Sequence, residues 1–266
     1  MSSAISETIV CIPTYNERGN IERIVRAIFK TAPEITVVVA DDNSPDGTGE
    51  VVKSLQSDYQ RLFLLHRTNE RGFANSYKDA FCFALSHGFQ NILQMDADFS
   101  HSPDAILSLI EALPRADFVV GSRYATGGKI ENWPLKRKIL SRGGNLYASL
   151  FLGNIVSDMT GGFNLWKRSV LEKVPFKSIN CDGYSFLIEL KFRAKQYGFK
   201  GVEVPITFTD RTEAVSKMSP QIMREAVLKV PSLLFSPQLT PVEACMTSST
   251  EIFSPVVDSL ITANKR

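Results

Sequence analysis

The chain is 266 residues long, 44% hydrophobic and 22% charged, with a formal net charge of +2. These are values of an ordinary globular protein, long enough for one large domain or two small ones around a substantial core. The net charge argues for neither nucleic acid nor a membrane as partner, and no run of about 18 apolar residues encodes a transmembrane helix.

The opening MSSAISETIV lacks the basic start and long apolar core of a signal peptide, so an intracellular protein is expected. The four cysteines, at 11, 82, 181 and 245, form no CxxC pair, and reduced thiols are expected rather than a disulfide framework. Three scattered histidines, His66, His87 and His101, speak against a histidine-based metal site.

Residues 8–12 (TIVCI) read as the first strand. Ile21, Ile24, Val25, Ile28 and Phe29 then follow the spacing of an amphipathic helix. Strands are expected at 35–40, 62–65, 91–95 and 117–121, with helices at 46–57, 75–87 and 104–113. Ser102 and Pro103 supply the cap and first position of the last helix. Val- and Ile-rich strands without strict alternation predict a mostly parallel sheet covered by helices on both faces, a doubly wound α/β fold.

Beyond residue 125 the pattern loosens into the turn-rich GGKIENWP, a basic-to-apolar helix over 135–152 and the loop DMTGGFNLW. A helix over 185–197, a strand over 202–208 and a helix opened by Ser219 and Pro220 follow. The reading is one catalytic domain over 1–235, with a first half at 8–124 and a second at 125–235. Residues 236–266, rich in Ser, Thr and Pro, are expected to be a loosely packed tail.

Polar clusters stand at the C-terminal ends of several predicted strands: PTYNE, DDNSPDGT, DADFS and GSRY. Ligands of open α/β sheets bind beyond those ends. Asp96 and Asp98 lie one residue apart on a tight turn, where both carboxylates can face one hard cation such as Mg²⁺ or Mn²⁺. In DDNSPDGT, Ser44, Pro45, Asp46 and Gly47 suit an Asx turn and helix cap, whereas Asp41 and Asp42 exceed what a turn needs. A carboxylate there can accept from a ribose or from the amino edge of a base. Tyr15 and Glu17 can line the same pocket. Arg123, Arg137, Arg211 and Lys217 are the candidate cations for phosphate, Arg123 by bidentate contact and Lys217 beside a helix start. Neither GxGxxG nor GxxxxGK[ST] occurs, which excludes a dinucleotide-binding fingerprint and a P-loop.

PTYNE, DDNSPDGT, MDADFSH, GSRYATGGKIENWP, GGF, DGYSFLIE, EVPITF and SKMS occur in this order over about residues 8–235. In this the chain resembles the dolichol-phosphate and polyprenol-phosphate mannose synthases, inverting glycosyltransferases of family 2 with the GT-A fold. The resemblance implies transfer of mannose from GDP-mannose to a polyprenyl or dolichyl phosphate at the cytosolic face of a membrane, with Mg²⁺ or Mn²⁺. It implies that Pro13, Tyr15, Glu17, Ala40 and Asp42 surround the guanosine, and that Asp96, Ala97 and Asp98 face the diphosphate and its cation. Arg123, Arg211 and Lys217 would handle the sugar diphosphate and the incoming phosphate, with Arg137 a further acceptor-phosphate candidate. Archaeal members carry Gln where Ser100 stands, so Ser100 is the expected third, weaker metal ligand. The family's Gly-Leu-Gly reads Gly72-Phe73-Ala74, and a glycine before SKM reads Ala214.

A polyprenyl phosphate is already anionic, so no general base is needed, and single-step displacement implies inversion. The apolar side of 135–152 is expected to lie on the bilayer surface. No nucleic-acid partner is expected, and a separate membrane subunit is compatible with the reading. The rival readings are UDP-glucose or another nucleotide sugar as donor, a sugar-nucleotidyltransferase, and a non-catalytic nucleotide-sugar sensor.

Overall fold

A computed structural model describes residues 2–68, 70–209, 227–236 and 250–253. The chain forms two compact units, Met1–Phe99 with Glu243–Arg266, and Ser100–Val242.

The first unit runs α1 (Ser2–Ser6), β1 (Thr8–Thr14), α2 (Arg18–Thr31), β2 (Thr36–Asp41), α3 (Thr48–Leu55), β3 (Leu62–Arg67), α4 (Phe73–Ser86) and β4 (Asn91–Gln94). The strands lie side by side in the order β3-β2-β1-β4, all parallel. Every residue of β2 is buried, because helices cover both faces and leave no side for polar alternation. In α2 the buried residues are Ile21, Ile24, Val25, Ile28 and Phe29, the stripe that the periodicity predicts.

The strand order has a consequence for ligands. From β1 the chain moves to β2 and β3 on one side, then returns to place β4 on the other side of β1. The switch point therefore lies between β1 and β4, at whose C-terminal ends open α/β sheets take their ligands.

The second unit runs α5 (Ile106–Ala112), β5 (Phe118–Ser122), β6 (Lys129–Glu131), α6 (Leu135–Leu152), β7 (Asn164–Lys167), α7 (Arg168–Lys173), α8 (Gly183–Gln196), β8 (Gly201–Pro205) and β9 (Thr207–Thr209). Strand β5 pairs parallel with β8 and antiparallel with β7, while β6 and β9 form a separate parallel pair. Opposite Phe118 in the β5–β8 register stands Gly201, where a Cβ would come within 2.3 Å of the Phe118 ring. That ring stacks on Trp166, with centroids 5.0 Å apart. Glycine is needed there for space.

Within the segment expected as a tail, β10 (Thr250–Phe253) pairs antiparallel with β3. Gln56 Nε2 donates to the Phe253 carbonyl at 2.7 Å and to the Leu62 carbonyl at 3.0 Å, tying the strand to β3. The helix expected from Ser219 lies largely outside the described residues; residues 227–232 are helical. Cys11 and Cys82 are buried and Cys181 is half-buried. No described helix is long and apolar enough to cross a membrane.

Candidate active site

In the first unit the loops after β1 and β2 are sewn together by the orphan N–H groups that begin α2. The Asn16, Glu17 and Arg18 amides donate to Ser44 Oγ (3.0 Å), Thr48 Oγ1 (3.0 Å) and Asp46 Oδ2 (3.1 Å). Asp46 also accepts from the Thr48 amide and hydroxyl, at 2.9 and 2.6 Å. Burial works to raise its carboxyl pKa, but the hydrogen bonds from Thr48 and Arg18 prevail and hold it below the usual value. Asp46 is thus the loop's organiser through the Asx turn its sequence context predicts, while Gly47, with φ +89°, stands at the cap of α3.

The two aspartates at the end of β2 divide their work. Asp41 is buried and held by three hydrogen bonds: it accepts from Thr14 Oγ1 (3.0 Å), the Ser44 amide (3.0 Å) and Ser44 Oγ (2.5 Å). Asp42 accepts from the Gly72 amide at 3.1 Å and pairs with the guanidinium of Arg67. Tyr15 is 37% exposed; its hydroxyl accepts from Arg71 Nη1 at 2.9 Å, and the same guanidinium stands 4.8 Å above its ring. Glu17 accepts from Asn20 Nδ2 at 3.0 Å, and Ala40 is buried in β2.

Pro13 explains why β1 and β4 part. The last bond between these strands' ends runs from the Met95 amide to the Cys11 carbonyl, at 3.1 Å. By alternation Pro13 faces the same side as Cys11, but it has no N–H to continue the ladder. Beyond that point come Asp96, half-buried, and Ala97 and Asp98, buried. The fully buried Tyr77 hydroxyl makes a long 3.5 Å contact with Asp96 Oδ1. Burial first, then the charges of Asp96 and, more weakly, Asp98, push the Tyr77 phenol well above its ordinary pKa. Phe99 closes the turn with φ +58°, under the guanidinium of Arg23 at 5.0 Å. Ser100 is buried and belongs to the second unit.

In the second unit Arg123, buried at the end of β5, is gripped by Asp158. Its backbone amide and Nε donate to Oδ2 at 3.0 and 2.8 Å, and Nη2 donates to Oδ1 at 2.6 Å and to Thr160 Oγ1 at 2.8 Å. Burial works to raise the Asp158 carboxyl, yet the Arg123 charge and hydrogen bonds hold it below its ordinary value. The Arg123 guanidinium lies 5.3 to 5.6 Å from the rings of Phe208, Tyr124 and Trp133. Arg137, half-buried at the start of α6, sits 4.2 Å over Trp133. Gly161 keeps the loop close to Asp158, whose Cγ an added Cβ would meet at 3.1 Å. Behind it the fully buried Lys191 of α8 donates to the Met159 and Gly161 carbonyls at 3.1 and 2.7 Å. Arg211 and Lys217 lie outside the described residues.

A model of the family described as "Glycosyl transferase family 2" matches residues 9–175. The chain belongs to glycosyl transferase family 2. It is 43% identical over 225 residues to the "Polyprenol monophosphomannose synthase" of Mycolicibacterium smegmatis, covering 84% of this chain and 85% of that protein. It is 38% identical over 222 residues to the "Undecaprenyl-phosphate mannosyltransferase" of Micrococcus luteus, covering 84% and 91%. Among solved structures, glucosyl-3-phosphoglycerate synthase from Mycobacterium tuberculosis, in complex with Mn²⁺, UDP-glucose and phosphoglyceric acid, aligns with a TM-score of 0.64. That alignment covers 89% of this chain and 83% of the other at 15% identity, a likeness of fold. The expected glycosyltransferase α/β architecture, a mostly parallel sheet flanked by helices, is the one found.

In this family 2 glycosyltransferase, the donor set offered by Asp96 and Asp98 is oxygen alone, which fits Mg²⁺ or Mn²⁺ rather than a thiolate- or imidazole-seeking ion. Among the described residues no group of three or more His, Cys, Asp or Glu side chains forms a metal cage. The sequence reading missed Arg67, Asp158, Thr160 and Lys191. Arg67 carried a usable signal, a cation two places beyond the apolar run LFLL; Asp158 stood within a loop with no such mark.

Proposed function

We propose that this chain transfers mannose from GDP-mannose to a polyprenyl phosphate, with inversion at the anomeric carbon. The observation that carries the reading is the placing of PTYNE, DDNSPDGT and DADFS at the C-terminal ends of the adjacent strands β1, β2 and β4, around the switch point. The mannosyltransferase names of the two relatives, each matched over 84% of this chain, support the sugar and the lipid acceptor.

In this reading Pro13, Tyr15, Glu17, Ala40 and Asp42 hold the nucleoside, and Asp96, Ala97 and Asp98 face the diphosphate. Asp96 and Asp98 would hold the divalent ion, with Ser100 the expected third ligand. A bound Mg²⁺ or Mn²⁺ supplies positive charge against the departing diphosphate. Arg123, Arg211 and Lys217 serve the sugar diphosphate and the acceptor phosphate, with Arg137 for the latter. The Asp158 grip gives Arg123 a fixed orientation, so no reorganisation is needed as charge develops. The lipid phosphate is its own nucleophile, and attack opposite the leaving group turns an α-linked donor into a β-linked product.

We also propose that α6 rests on a membrane surface. It carries Lys136, Arg137, Lys138 and Arg142 and no acidic residue, while Leu135, Ile139, Leu140, Leu146 and Leu150 are exposed. Tyr147 Oη donates to the Val227 carbonyl at 2.7 Å, which sets α6 beside a segment whose Val227, Leu228, Leu234 and Phe235 are also exposed. Apolar side chains flanked by cations suit an anionic bilayer.

The test is purified protein with Mg²⁺ or Mn²⁺, a short polyprenyl phosphate and labelled GDP-mannose, UDP-glucose and other nucleotide sugars, scored by label entering the organic phase. Transfer from GDP-mannose alone supports the reading. Transfer chiefly from another donor overturns the sugar assignment, and binding without turnover overturns the enzyme assignment.

A further inference from the structure

Helix α6 has 18 residues, of which Asn145, Ala148 and Leu152 are buried. Apolar burial along so narrow a strip does little to fix its seat, which leaves the polar contacts to decide it. Asn145 makes the most specific of them. Its Oδ1 accepts from the Thr160 amide at 3.1 Å, and its Nδ2 donates to Thr160 Oγ1 at 3.2 Å and to the Ser141 carbonyl at 2.9 Å. Thr160 Oγ1 also accepts from Arg123 Nη2 at 2.8 Å. One turn earlier in α6, Ser141 Oγ accepts from the Tyr124 hydroxyl at 2.7 Å, and the Tyr124 ring lies 5.4 Å from the Arg123 guanidinium. Both contacts therefore end on a neighbour of Arg123.

The loop that carries Thr160 is otherwise anchored on strands and helices of its own unit. Glu203 of β8 accepts from the Ser157 and Asp158 amides at 2.9 and 3.2 Å, and Lys191 of α8 holds the Met159 and Gly161 carbonyls. Thr160 is the residue of this loop that Asn145 grips. A buried amide on a helix face that carries alanine and leucine at 148 and 152 costs stability unless it is bonded. Here it is bonded to the residue that steadies Arg123. Gly143 and Gly144 precede Asn145, and a Cβ on either would meet nothing within 4 Å. Space does not require these glycines, and they weaken the helix next to the point where its contacts are made.

We propose that Asn145 is a positioning residue for Arg123: through Thr160 it ties the ordering of α6 to the orientation of the guanidinium, so that a better ordered α6 gives faster transfer. The inference rests on the reading of Arg123 as a phosphate-handling residue. A lipid surface under Leu146 and Leu150 would order α6 in the same sense.

The experiment measures kcat at saturating donor and saturating short polyprenyl phosphate, with flotation and thermal midpoints, with and without vesicles rich in phosphatidylglycerol. It compares the full chain with Gly144→Ala, Asn145→Ala and the double variant. Without vesicles Gly144→Ala should raise kcat about threefold to fivefold, the equivalent of alanine's greater helix propensity. Asn145→Ala should lower kcat about tenfold, the equivalent of one hydrogen bond to a charged group, with donor KM within about threefold of the native value. Alanine is the better helix former, so a weaker helix would not account for that loss. Vesicles should raise kcat of the native chain about fivefold or more. In the Asn145→Ala background, neither vesicles nor Gly144→Ala should raise kcat by more than about twofold, although the vesicles still bind. Native kcat in Asn145→Ala overturns the proposal, as do equal gains from Gly144→Ala in the two backgrounds. An unchanged kcat in Gly144→Ala also overturns it, and this variant carries the test should Asn145→Ala fail to fold. A native chain that floats with vesicles but gains no rate overturns it too. One that does not float overturns the membrane reading instead, and the vesicle-free arms decide. Native kcat in Arg123→Met overturns the reading of Arg123 beneath the proposal.

Discussion

Asp158 takes three hydrogen bonds from Arg123, two of them from the guanidinium at 2.8 and 2.6 Å, across 35 residues of sequence. Neither partner is free to leave, since removing one strands the other as a buried charge. Arg123→Met and Asp158→Leu alone should each cost about 3–5 kcal/mol, read as a lower urea midpoint, whereas the double variant Arg123→Met/Asp158→Leu should cost less than either single change. Additive losses in the double variant would refute the coupling. All three variants should lose sugar transfer. The folded Asp158 carboxyl titrates below its ordinary value, so its contribution is present above about pH 4 and lost as pH falls through the lower folded value.

Lys191 predicts a second pH dependence of opposite origin. Burial, reinforced by Arg123 and opposed by Asp158 and Glu203, lowers its ammonium pKa to about 7 from 10.5. Between those values the unfolded chain holds a proton that the folded chain lacks, so this group makes stability rise with pH, and below about 7 its penalty is constant. Urea midpoints taken from pH 6.5 to 9.5 should climb more steeply for the native chain than for Lys191→Met. Parallel curves would contradict it.

The Asp96 and Asp98 pair predicts a divalent requirement. Chelation should abolish transfer and added Mn²⁺ or Mg²⁺ restore it, while Asp98→Ala should lower kcat on the order of 10²–10³-fold. The Mn²⁺ spin-resonance signal in the presence of GDP gives a readout apart from activity: the native chain should quench free Mn²⁺ and Asp98→Ala should not. Undiminished transfer by Asp98→Ala would end the assignment.

Leu146 and Leu150 of α6, 72% and 78% exposed, should report on the membrane. Each leucine withdrawn from water contributes about 1.5–3 kcal/mol, so Leu146→Glu/Leu150→Glu should weaken flotation with anionic vesicles by about tenfold or more. Because both side chains already face solvent, thermal stability should barely change. Equal flotation of the two proteins would dismiss α6 as the contact.

Gly201→Ala offers a test of the β5–β8 register. Its new methyl would press into the Phe118 ring, and overpacking of this kind costs about 1–3 kcal/mol. A thermal midpoint equal to that of the native chain would mean that the ring moves aside without strain.

Much of this was legible in the chain itself. The stripe from Ile21 to Phe29 and the buried run of β2 are local patterns, and their periods report helix and parallel strand wherever they are packed. The clusters after β1, β2 and β4 were legible because a run of aspartates and asparagines at a strand end serves no core. What each member does was not legible. Asp41 and Asp42 are neighbours with the same side chain, yet Asp41 is held by Thr14 and Ser44 while Asp42 faces Arg67 and Gly72.

By itself, then, the sequence determined the alternation of strand and helix, the order of the motifs and the kinship they imply, because these follow from neighbours along the chain. The tertiary structure decided which charges meet: Arg67 with Asp42, Arg123 with Asp158, Lys191 with the Met159 and Gly161 carbonyls, and β10 with the edge of β3. The physical reason is that burial makes an ion dependent on its partner, and folding alone brings partners from distant parts of the chain within about 3 Å.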